Sequence, residues 1–265
     1  MDDPRVNACF LIILFLFVGT GLPGCSYGHA SEQPVSAKTS ASPMEPGPIL
    51  PSGTEETGTD REPATKPAKK VVDTIEMIEQ TMTATRYQHF TMVDRKKGLY
   101  FWDCSGMTAW ILDRAAPKAR KSLPAKHPLA KQFYKVIAKS PTDKQKKGWQ
   151  RLEGLQDVRP GDMFAWLKPE FWKNNKNTGH VGFVLDTPRP HPKYENVWLM
   201  KIADASRYRH ENDSRPDDGQ GGFGTGTIAF LVDGNGTGQA YGWYGSPQKP
   251  QTYIPTTIIF GRVTK

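Results

Sequence analysis

The order of its periodic segments constrains this chain most. Helical periodicity lies before Pro160-Gly161 and strand-like runs lie after it. Val71, Val72, Ile75, Ile78 and Met82 mark one amphipathic helix over about 70–84. Met107, Trp110 and Ile111 share a face of a second helix that begins at Cys104, and residues 131–139 also look helical. The strand candidates are residues 162–167, 180–186, 197–203, 225–232 and 256–263, separated by Gly- and Pro-rich loops. Helices first and strands later predict an α+β domain with an antiparallel sheet of about five or six strands. Hydrophobic residues are 37% of the chain, enough for a core, and no long apolar run follows residue 24. That excludes a multi-span membrane protein.

The first 69 residues read as an address and a tether. Residues 8–18 are an apolar run of signal-peptide length, too short for a comfortable membrane span. The run leads to Leu22-Pro23-Gly24-Cys25, which resembles the lipobox of bacterial lipoproteins. That resemblance implies a signal peptide over 1–25, acylation of Cys25 and a domain held on the outer side of a bacterial membrane. An uncleaved anchor or an ordinary secretory signal exports the domain equally. Residues 26–69, rich in Pro, Ser, Thr, Gly and Glu, have too little apolar surface to offset their ordering entropy and read as a disordered tether. The folded domain is then 70–265, with 30 basic and 19 acidic residues, a balance that favours polyanionic surroundings. Within it, residues 114–151 hold twelve Lys/Arg and one acidic residue and read as a basic insertion. No stacking-aromatic pattern interleaves these lysines, so nucleic acid is not expected as a partner.

Three short motifs carry the candidate chemistry. Asp103-Cys104-Ser105-Gly106 opens the second helix. Unpaired N–H groups and the positive dipole end at a helix start favour thiolate over thiol and can hold an oxyanion. Once Cys25 is acylated, Cys104 has no thiol partner in the soluble domain. Thr178-Gly179-His180-Val181-Gly182 opens a strand, where His180 can accept the thiol proton. Ala203-Asp204-Ala205-Ser206 ends the next strand. If the two strands are adjacent and antiparallel, Asp204 returns to His180 and fixes its tautomer. The run Gly219-Gln220-Gly221-Gly222-Phe223-Gly224-Thr225-Gly226 lacks the ending of a phosphate loop and reads as a flexible loop near the cleft. His89, His127, His191 and His210 show no metal-ligand spacing, and neither metal nor cofactor is expected.

Asp103-Cys104-Ser105-Gly106, then Arg159-Pro160-Gly161-Asp162, then Gly179-His180-Val181-Gly182 resembles, in content and order, the NlpC-type papain-like cysteine peptidases of bacterial cell walls. The match spans roughly residues 75–206. The resemblance implies a papain-like fold, with the Cys at a helix start packed on the sheet. It implies Cys104 as nucleophile, His180 as base and later acid, and Asp204 as third residue. It also implies a substrate cleft lined by Tyr87, or alternatively Tyr100, together with Asp103 and Ser105. The expected activity is hydrolysis of an amide in peptidoglycan stem peptides, usually γ-D-glutamyl-diaminopimelate, by a monomer. Two rivals remain: an amidase of the CHAP type, and a catalytically silent wall-binding lipoprotein on the same fold.

Overall fold

A computed structural model describes residues 61–173, 176–243 and 252–265. The expected signal peptide, Cys25 and tether residues 26–60 lie outside the described residues. Helix α1 (Lys66–Thr81) starts earlier than its hydrophobic spacing suggests, because Thr65 caps it. The Thr65 hydroxyl accepts from the Ala68 amide and donates to the Val263 carbonyl, 2.7 Å away. One α1 face, Ala68, Val71, Ile75 and Ile78, is fully buried. Three short strands follow: β1 (Ala84–Tyr87), β2 (Met92–Asp94) and β3 (Leu99–Trp102). They form a small sheet in the order β1-β3-β2, with β1 parallel to β3. Helices α2 (Cys104–Ala115), α3 (Pro117–Lys121) and α4 (Ala130–Ala138) come next.

The remaining strands are β4 (Trp149–Arg151), β5 (Met163–Leu167), β6 (Gly179–Val184), β7 (Arg189–Pro190), β8 (Val197–Ser206), β9 (Gly222–Val232), β10 (Gly238–Gly242) and β11 (Ile254–Val263). They pair in the order β10-β9-β8-β6-β5-β11-β4, and β7 adds to β8. β10 also pairs with β11. This contact joins the two ends of a six-strand path, so the antiparallel sheet closes into a barrel.

The closure corrects the expected fold class. The papain-like arrangement, helices on an open antiparallel sheet, is not what these residues build. The physical reason lies in β10. Gly238 pairs with Val232 on one side and Ile258 on the other, and a bulge between Gly238 and Ala240 turns the strand so that both its edges find partners. A Cβ on Gly238 would stand 2.8 Å from the Ile258 side chain, so glycine permits the close approach. Closing the sheet removes raw edges that would otherwise template aggregation.

Alternation along the strands divides the core. Phe164, Trp166, Val184, Ile202, Phe230, Tyr241 and Ile258, drawn from all six barrel strands, fill the interior. The opposite face of the same strands presents Met163, Ala165, Val181, Phe183, Ala203 and Ala205 to α1, α2 and α4. The basic stretch 114–151 is integral to this packing, since Phe133, Ile137 and Trp149 are fully buried in the cluster that contains α2. Its lysines belong to the solvated side of elements whose other side is core. The Pro-Gly-Asp turn is a structural joint. Gly161 has φ +84, and a Cβ there would strike the Ala68 backbone. Buried Asp162 accepts two bonds from Arg262, at 3.0 and 2.8 Å, tying the start of β5 to β11.

Candidate active site

β6 and β8 are adjacent and antiparallel, with Phe183 opposite Ala203 and Val184 opposite Ile202. This brings together two of the three expected catalytic residues. His180 Nε2 lies 2.7 Å from Asp204 Oδ2, and both residues are buried. The carboxylate accepts, so Nε2 carries the ring proton and Nδ1 is the nitrogen left to take another. Trp166 and Trp243 flank the ring, with centroids 4.9 and 5.3 Å away. They shield the dyad from water.

Cys104 is the first residue of α2, and Asp103 is its N-cap. Asp103 Oδ1 accepts from the Gly106 amide and from the Ser105 hydroxyl, both at 2.8 Å. Asp103 and Ser105 therefore build the helix start, and this fixes where the sulfur points. The thiol lies against the backbone amides of Val181 and Ser105. Val181 follows His180 directly, so α2 delivers the sulfur to the mouth of the His strand. Among the described residues, no hydrogen bond joins the Cys104 sulfur to the His180 ring.

The expected easy ionisation at the helix start does not hold in this geometry. Burial pushes the Cys104 thiol well up, and the Asp103 and Asp204 carboxylates push it further. The amides of Val181 and Ser105 act the other way and are outweighed. The resting group is a thiol, and it needs a base to become a nucleophile.

Tyr87, at the end of β1, stands beside this thiol. Burial raises its phenol, and the charges of Cys104 and Asp103 add to the effect. Its backbone amide donates to the Gln220 carbonyl. The neighbouring Thr85 hydroxyl accepts from the Phe223 amide at 2.7 Å and donates to the Tyr100 carbonyl at 2.9 Å. These bonds pin the small sheet to β9 and hold Tyr87 at the cleft. Tyr100 is fully buried, and its hydroxyl meets Thr81 on α1, so it belongs to the core. Arg207 sits over the Tyr87 ring at 5.5 Å. Exposed His89 contacts Tyr87 edge-on, and its Nδ1 lies 3.5 Å from Asp103 Oδ2. Neither Arg207 nor His89 carries a local motif that singles it out in the sequence.

The third residue has more partners than expected. Asp204 Oδ2 also meets His210 Nε2 at 3.1 Å, and Oδ1 accepts from Arg215 Nη2 at 2.5 Å. Burial alone would raise this carboxyl. Interactions with His210, Arg215 and His180 prevail and hold it well below the ordinary carboxylate range. His210 and Arg215 were invisible as site residues because the loop between β8 and β9 has no periodic signal. No group of three or more His, Cys, Asp or Glu side chains among the described residues is arranged to hold a metal ion.

No family model matches the chain, and no solved structure matches it. An uncharacterized protein of Acanthamoeba polyphaga mimivirus is 26% identical over 182 residues, a match covering 61% of this chain and 77% of that protein.

Proposed function

We propose that this protein is a thiol-dependent hydrolase that cleaves an amide bond in the stem peptide of peptidoglycan. The observation that carries the reading is the buried 2.7 Å contact between His180 Nε2 and Asp204, next to the strand position where the Cys104 thiol rests. The three motifs and their order, Cys then Pro-Gly-Asp then His, support the substrate class through their resemblance to NlpC-type wall peptidases. The apolar run before Cys25 supports an exported, lipid-anchored setting.

The chemistry follows from the proton inventory. Asp204 holds the Nε2 proton, so Nδ1 of His180 takes the Cys104 proton as the sulfur attacks the amide carbonyl. Proton transfer is coupled to attack, because burial disfavours a standing thiolate. The amide of Cys104, in the first turn of α2, faces the oxyanion; N–H groups there have no partner within the helix. His180 then protonates the leaving amine and activates water to release the acyl group. Asp204 keeps the imidazole in register throughout.

Digestion of purified muropeptides by the wild type and by Cys104→Ala, with products identified by mass spectrometry, tests the proposal. The expected result is a split within the stem, at γ-D-glutamyl-diaminopimelate, made by the wild type alone. Equal products from both proteins overturn it. Cleavage between the lactyl group and L-Ala instead favours a CHAP-type amidase.

The buried, raised thiol favours one second reading, a silent wall-binding lipoprotein. Iodoacetamide separates the two. If His180 activates Cys104, alkylation of the folded protein follows a pH profile that His180→Ala abolishes. An identical profile in His180→Ala supports the silent reading.

A further inference from the structure

Asp204 is a branching point with three nitrogen partners. His210 shows why this matters. Its Nδ1 lies 3.0 Å from the Trp243 carbonyl oxygen, and its Nε2 lies 3.1 Å from Asp204 Oδ2. Both partners are acceptors, so both ring nitrogens must donate and the imidazole carries two protons. The His210 side chain is fully buried, as are those of Asp204 and Arg215.

Such a cation persists in the interior only when its charge is matched. The loop supplies the match. Asp213 Oδ2 accepts from the His210 backbone amide at 2.7 Å, and its Oδ1 meets Arg215 Nε at 3.1 Å. Two carboxylates, Asp204 and Asp213, therefore face two cations, His210 and Arg215. Arg215 Nη1 also donates to Ser206 Oγ at 2.7 Å and to the Tyr208 carbonyl, which fixes the guanidinium plane. His180 is the remaining hydrogen-bond partner of Asp204, and the Cys104 thiol and Tyr87 phenol feel the same charge.

The Gly-rich run makes room for this cluster. It is strand rather than loop from Gly222 onward. A Cβ on Gly224 would stand 2.4 Å from Arg215 Nε, and one on Gly226 would stand 2.8 Å from the His210 Cβ. The alternate glycines leave a slot on the inner face of β9, and the 207–215 loop fills it.

We propose that His210 and Arg215 are positioning residues: a doubly protonated imidazole and a guanidinium, seated in the slot left by Gly224 and Gly226, that hold the Asp204 carboxylate against His180. Its catalytic consequence rests on the hydrolase reading, whereas the clamp itself does not. With His210 and Arg215 on its other lone pairs, Asp204 has one geometry for His180 and cannot rotate away.

Two measurements on the full chain test this. Nitrogen-15 correlation spectra of the wild type at neutral pH read the His210 ring directly, with no variant needed. Two protonated ring nitrogens are expected; a neutral ring with one N–H overturns the proposal. The second measurement is the pH profile of Cys104 alkylation and of muropeptide cleavage in Arg215→Met and Arg215→Lys, with folding checked by circular dichroism. Losing a buried cation favours every nearby protonated state, so the Arg215→Met profile moves to higher pH by about one unit or more. Cleavage at neutral pH falls about tenfold with it. Arg215→Lys keeps the charge and restores most of the profile. A folded Arg215→Met with a wild-type profile overturns the clamp, and if the wild type still cleaves muropeptides the hydrolase reading stands. A wild type that cleaves nothing, with the shifted alkylation profile in Arg215→Met, leaves the clamp in place and removes the hydrolase reading.

Discussion

One strand carries two kinds of interior. On the inner face of β8, Met200 and Ile202 lie among Phe164, Phe230 and Ile258, in a region with no charge to satisfy. Two residues further along the same face, Asp204 meets His180, His210 and Arg215 with no solvent exposure. The apolar half is held by contact area, which tolerates exchange among shapes of similar volume. The ionic half is held by a charge balance, in which every member depends on the others. The contrast separates the part of the barrel that makes the fold from the part that can do chemistry.

The largest break is expected at Asp204. Asp204→Ala leaves His210 and Arg215 without their shared anion and costs about 3–5 kcal/mol in denaturant unfolding. On the proposed hydrolase reading, turnover falls by about 10⁴-fold. The pH dependence sharpens this. The folded Asp204 carboxyl is depressed, so its contribution is complete above about pH 4, near the unfolded value, and is lost only as pH falls through the lower folded value. The stability gap between wild type and Asp204→Asn should therefore shrink as pH falls below about 4.

Phe230→Ala is the matching break in the apolar half. It should cost about 3–5 kcal/mol in the same unfolding experiment, with no change in the pH profile of Cys104 alkylation. A profile that shifts as much as in Asp204→Ala would show that the two halves are not separable. Gly224→Ala comes next. Its Cβ must push the Arg215 side chain, so a loss of about 1–3 kcal/mol is expected together with a moved profile. The smallest effect is at a distance from both halves. Thr65→Ala removes the cap of α1 and should cost about 1 kcal/mol by thermal unfolding, leaving the site untouched.

Local signals explain what could be read from the sequence. The start of α2 at Cys104 was legible because Asp103 is a strong cap and Met107, Trp110 and Ile111 keep helical spacing. The return of Asp204 to His180 was legible because these two strands pair antiparallel, even across the 185–196 connection that holds β7. Closure was not legible, because it depends on β10, five residues long and bulged at Gly238, matching β9 and β11 at once. The small sheet escaped for a similar reason, since its strands are three and four residues long. The run from Gly222 to Gly226 looked like a loop because glycine weakens strands. Its glycines serve close approach by His210 and Arg215, which only tertiary structure reveals. Helix-start amides are visible in sequence, whereas the burial that outweighs them at Cys104 is not.

The position of β11 has a consequence for assembly. It pairs with β4, β5 and β10, so three neighbours wait for residues 254–263. A nascent chain can form α1, α2 and the β8–β9 hairpin, but it cannot seal the circle until this late strand arrives. Until then β5 and β10 both offer bare backbone. That interval is when a holding chaperone would matter most.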